Sequence, residues 1–126
     1  MKTLSALLLV SVIVIGGQAL AAPPQDAASL DPAIVNAKTI HVTFENDRVR
    51  VLEATLPPGA KEALHAHPAY VIYVLAGGKT RNHAADGTTT EAEFRTGQTI
   101  YREPLTHWAE NIGATTIRLV LVELKK

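Results

Sequence analysis

Three histidines are the residues of this chain best suited to do chemistry. His65 and His67 stand two apart in "HAHPAYVIYVLAGG", and His107 follows 40 residues later in "EPLTHWAEN". Side chains two apart on a strand project to the same side, so a strand through 65–67 presents both imidazoles on one face. Neutral imidazole is a good ligand for divalent transition metals, and the same ring can pass protons near neutral pH. An HxH pair alone is equally compatible with two surface or hydrogen-bonded histidines. The third histidine raises the prospect of a site, provided that the fold returns residue 107 to the neighbourhood of 65 and 67.

The elements needed for that return are strands. "TIHVTF" (39–44), "RVRVLEATL" (48–56), "YVIYVL" (70–75), "KTRNHA" and "TTTEAEF" around Asp86-Gly87, "TGQTIYRE", "HWAEN" and "TTIRLVLVEL" (115–124) are short segments rich in β-formers, separated by turn signals. The expected fold is all-β, a single domain built as a sandwich or barrel. On the strand reading His107 shares a face with Ala109 and Asn111, while Trp108 and Glu110 face the other way. In the last strand Ile117, Leu119 and Leu121 share one face. Val120 and Val122 lie on the other with Arg118, so that face turns apolar toward its end. A strand apolar on both faces is buried twice or packs on a second copy, which predicts a homodimer.

The remaining segments read as non-domain. Lys2, the apolar run 4–15 and Ala19-Leu20-Ala21 have the three parts of a secretory signal peptide, placing 1–21 outside the mature chain and the protein in the periplasm or secreted. Residues 22–38 read as an Ala/Pro-rich tether or a segment lying loosely on the domain, with a short helix near Pro32–Ala37 that Asp31 would cap. The domain proper is 39–126. The chain has 12 basic and 12 acidic residues and no cysteine. Thiolate ligands, thiol catalysis and disulfides are therefore excluded. With no basic field, nothing favours nucleic acid, and after signal cleavage nothing favours a membrane.

The spacing around the histidines resembles that of the cupin superfamily. Gly59 is followed by five residues and then His65-Ala66-His67; Gly97 is followed by five residues, then Glu103-Pro104-Leu105, His107 and, four residues on, Asn111. "YVLAGG" also suits the superfamily's first motif, and the resemblance covers roughly residues 40–125. It implies a double-stranded β-helix, the RmlC-like jelly-roll barrel, and a pocket holding His65, His67 and His107. The departures matter. The motif's glutamate position holds Tyr70 or Val71, Glu103 stands where proline is expected, Leu105 where glycine is, and the gap to His107 is one residue short.

Three readings follow. The histidines alone hold a divalent metal (iron, nickel, manganese or zinc), leaving positions open to an anionic, chelating small molecule. Or another group completes the shell: Glu62, on strand alternation facing away from His65; Glu103, as ligand or as an acceptor fixing an imidazole; or Tyr70 as phenolate. Or there is no metal, and the rings bind a ligand or move protons. Tyr70, Tyr73, Tyr101, Glu103 and Asn111 are the expected pocket or supporting residues, with Asn111 also suited to stabilise the turn at Gly113 and Trp108 suited to line a pocket or pack. Arg81 and Arg102 can clamp a carboxylate, or be solvated strand charges. His41 and His83 are expected to be exposed. Resemblance permits a metal-dependent dioxygenase or isomerase and equally a non-catalytic ligand- or metal-binding module, because the fold hosts many chemistries.

Overall fold

The computed structural model describes residues 29–126. The expected signal peptide and the first part of the tether lie outside the described residues. After a four-residue helix, α1 (Pro32–Val35), come nine strands: β1 (Ile40–Glu45), β2 (Val49–Leu56), β3 (His65–His67), β4 (Tyr70–Ala76), β5 (Gly78–Ala84), β6 (Thr89–Phe94), β7 (Thr99–Arg102), β8 (Leu105–Asn111) and β9 (Ile117–Leu124). They form two antiparallel sheets in the orders β1-β2-β9-β4-β7 and β3-β8-β5-β6. The two facing sheets are the expected all-β architecture. Among the described residues, however, no ladder joins one sheet to the other, so the expected barrel does not close. The edge strands, β1 and β7 of one sheet and β3 and β6 of the other, pair only within their own sheet.

Period-two alternation explains which side chains fill the space between the sheets. Leu52, Ala54 and Leu56 of β2, Tyr70, Ile72 and Val74 of β4, and Ile117, Leu119 and Leu121 of β9 are all buried. Leu52, Val74 and Ile117 have no exposed surface, and burying each such side chain contributes about 1.5–3 kcal/mol. The alternation continues one step further than the apolar run: Glu123 of β9 also faces inward and is 3% exposed.

Gly77 and Gly78 sit where the chain passes from β4 to β5. A side chain at Gly77 would collide with the carbonyl oxygen of Phe94, and one at Gly78 with the Ile117 side chain. The glycine pair is thus required by close approach, and the obstacle at Gly77 is backbone that cannot move aside. Gly77→Ala is expected to lower unfolding free energy by about 1–3 kcal/mol, the usual cost of overpacking, measured as a reduced urea midpoint with unchanged slope.

Candidate metal centre

The register between β3 and β8 assembles the site. His65 lies directly opposite His107, with Ala66 opposite Thr106 and His67 opposite Leu105. Directly opposed side chains share a face, so His107 joins the pair already formed by alternation along β3. All three rings are buried. Their centroids are 4.7 Å (65–107), 4.8 Å (65–67) and 5.7 Å (67–107) apart. One nitrogen from each ring falls within 4.8 Å of the others.

The tautomers of two rings are set by their neighbours. His67 Nδ1 lies 2.6 Å from Glu123 Oε1, so Nδ1–H donates to the carboxylate and the lone pair sits on Nε2. His65 Nδ1 lies 2.8 Å from the Ala63 carbonyl, which again puts the proton on Nδ1. Asn36 Nδ2 is also 3.1 Å from that nitrogen, but the carbonyl contact is shorter and requires a donor, so Asn36 directs its amide instead to the Ala63 carbonyl at 3.2 Å. A carboxylate or carbonyl on the far nitrogen is how metal-binding imidazoles are oriented. His107 differs: its Nδ1 is buried without a hydrogen-bond partner. Three imidazoles, two oriented through their Nδ1 and one with an orphaned nitrogen, are a donor set that fits a divalent transition metal.

Burial favours the neutral form of two of the rings. It pulls His65 down to about 4 from an ordinary 6.5 and His107 down to about 3, with the other two rings adding to the effect. Tyr70 stacks on His67 at 4.6 Å. Burial raises its phenol to about 12, so the ring facing His67 is an uncharged aromatic wall of the pocket.

One carboxylate does approach the rings. Strand alternation would turn Glu62 away from His65, but residues 62–64 are not strand and alternation does not govern them. The Glu62 amide donates to the Ala109 carbonyl at 2.9 Å, and its carboxylate reaches 3.9 Å from His65 Nε2, with 7% of the side chain exposed. Burial raises Glu62 to about 7. Glu103, by contrast, is exposed and off the site, and Tyr73 and Tyr101 are exposed on the far side of their sheet. Asn111 is buried but turned to the 113–115 turn, donating to the Leu56 and Thr115 carbonyls and accepting from Gly113 N–H. Arg81 is held on the outer face by Glu91 and Glu110. His83 stacks on Trp108 there at 3.6 Å, half-buried rather than exposed, and His41 is exposed. Arg102 does line the cavity.

Three participants escaped the sequence reading. Glu123 could have been found, since it prolongs the inward series Ile117, Leu119, Leu121. Arg50, which connects Glu123 to Asp31, and Asn36 carry no local signal. Beside the rings lies a cavity of about 300 Å³ between the sheets, lined at one end by His67, His107, Glu62 and Arg102 and elsewhere mainly by aliphatic side chains such as Ile72 and Leu119.

Two facing antiparallel sheets with three histidines at one end of the space between them define a double-stranded β-helix protein with a histidine pocket. No protein-family model matches the chain, and no curated protein does. Solved structures do. A cupin domain from Bordetella pertussis Tohama I is 27% identical, with 69% of this chain and 92% of that one covered and a TM-score of 0.63. An RmlC-like cupin family protein from Methanocaldococcus jannaschii is 14% identical, covering 68% and 78%, with a TM-score of 0.56. A protein from Thermotoga maritima described as a predicted oxalate decarboxylase is 21% identical, covering 69% and 79%, at 0.51. The chain belongs to the cupin superfamily.

The buried groups make stability depend on pH. His65 and His107 have folded values below their unfolded ones, so their contribution is present above about pH 6.5 and lost as pH falls. Glu62 has the opposite sense: its burial costs stability above pH 7, and the cost disappears as pH falls toward 4.5. Near pH 5.5 the unfolded metal-free chain therefore gains about two protons on histidine and loses about one from Glu62. Stability should fall by about 1.4 kcal/mol per pH unit there, and about twice as steeply in Glu62→Gln, as read by urea titrations from pH 5 to 8.

Proposed function

We propose that this protein is a metal-dependent cupin enzyme of the dioxygenase or isomerase type, acting on a small anionic molecule held between the two sheets. The observation carrying this reading is the convergence of three buried imidazoles, two of them, His67 and His107, lining a cavity. A divalent iron, nickel, manganese or zinc ion held by His65, His67 and His107 would supply Lewis-acid or redox chemistry and keep positions for substrate. The chain's own residues do the rest. Aliphatic walls from β4 and β9 exclude water and hold an apolar substrate body. Arg102, whose charge is felt at both Tyr70 and His107, draws an anionic head toward the rings. Glu62 can hold or release a proton close to neutral pH.

Protein purified without chelators should carry one divalent transition metal per chain, lost in His65→Ala and His107→Ala. Turnover of small carboxylates (oxalate among them), thiols or diketones, followed by oxygen uptake or product analysis, should need that metal. Arg102→Ala should raise KM for an anionic substrate by at least tenfold. Ligand binding without turnover across these classes would replace the enzyme by a binding module, and metal-free wild type would overturn the reading.

A homodimer in the periplasm or outside the cell completes this reading. The location rests on the N-terminal sequence. Support for the dimer is the outer face of the five-stranded sheet, where Phe44, Val51, Val122, Val71 and Tyr101 stand opposite one another across all five strands. Phe44 and Tyr101 are 53% and 54% exposed. Such a row is the kind of surface a second copy covers. Sedimentation should show a dimer for the wild type and a monomer for Val71→Arg, with the cavity's metal content unchanged in the variant.

A further inference from the structure

The short segment before the first strand touches the site at two points. Asn36, 7% exposed, grips Ala63 from both sides, accepting from its N–H at 2.6 Å and donating to its carbonyl at 3.2 Å. That carbonyl is the acceptor that fixes the His65 proton. Asp31, at the start of the same segment, holds Arg50 with two hydrogen bonds of 2.8 Å. Arg50 in turn lies 3.7 Å from Glu123 Oε2, whose other oxygen fixes the His67 proton. One residue before Asp31, the Leu30 carbonyl accepts from Ala66 N–H at 2.8 Å, in the middle of β3.

β3 is three residues long, with β8 on one side and, on the other, this single bond to residue 30. So short a strand has little pairing of its own to define its position. The same segment sets the position of β3 and the acceptors behind both its rings.

We propose that residues 30–36 are a strap coupled to metal binding, with Asp31 and Asn36 as positioning residues for His67 and His65. This rests on the reading of the three histidines as a metal centre. Docking of the strap aligns both imidazoles for the ion; by reciprocity the bound ion must stabilise the docked strap. The strap donates no ligand, so an effect of metal on it reports the coupling and not ligation.

The test uses full-length protein, Zn²⁺ or Ni²⁺ titration against a competing chelator, and hydrogen exchange by mass spectrometry. Asp31→Ser keeps a capping oxygen for α1 but removes the carboxylate from Arg50. Asn36→Ala releases Ala63. Each should weaken metal binding about 10- to 100-fold, as loss of an orienting partner does, and the metal should slow exchange in the peptide 29–38 of the wild type several-fold. Variants that bind as tightly as wild type, or exchange in 29–38 that ignores the metal, would overturn the coupling while leaving the metal centre intact. Should Asn36→Ala not fold, Asp31→Ser and the wild-type exchange experiment still decide. A wild type that binds no ion, with His107→Ala equally silent, would overturn both readings.

Discussion

The site depends on one register. Pairing His65 with His107 across β3 and β8 brings together residues 42 positions apart in the chain. Because strand faces alternate, a slip of one residue would send His107 to the outer face, among Trp108 and Glu110, and bring an outward side chain in. The five-stranded sheet constrains that register indirectly. Its β9 supplies Glu123 to His67, and the β8–β9 turn is tied by Asn111, which bonds both Leu56 and Thr115. The jelly-roll connectivity makes each sheet position the other's contribution.

The electrostatics of the pocket follow from what is paired and what is left bare. Glu123 is buried but accompanied by His67 and Arg50, and Arg50 by Asp31. A buried charge so flanked is held in place, and removing one member would strand the others. Glu62 has no such company beyond the open nitrogen of His65. Two acids therefore serve one pocket in different ways. One is locked behind a ring as a proton acceptor; the other is exposed to the cavity and neutral or charged according to its surroundings.

Much of this was legible in the sequence. The HxH spacing, the strand alternation through 105–111 and the motif glycines sufficed for the fold and the three histidines. The position of Glu62 is not legible, because strand periodicity does not extend through the irregular residues 62–64. Tyr73, Tyr101 and Glu103 are of types that suit a pocket, yet Tyr73 and Tyr101 lie on the outward parity of β4 and β7 and Glu103 is exposed just before β8. Asn36 and Arg50 were not visible at all, because their roles arise only from long-range packing. The strap before the first strand had the composition of a linker, and only its partners at Ala63, Ala66 and Arg50 reveal otherwise.

The passage through Gly77 has a bearing on the cavity's shape. The ladder between β4 and β9 shifts register around Leu75, and three residues later the chain enters the opposite sheet as β5. Tyr70 and Ile72 thus line one wall, and Thr80 and Asn82 the other, from a single bent ribbon. That ribbon acts as a caliper: the angle at its bend sets the gap between its jaws. Evolution could resize the chamber for a bulkier or slimmer guest by altering the bend, without touching a single residue at the histidine end.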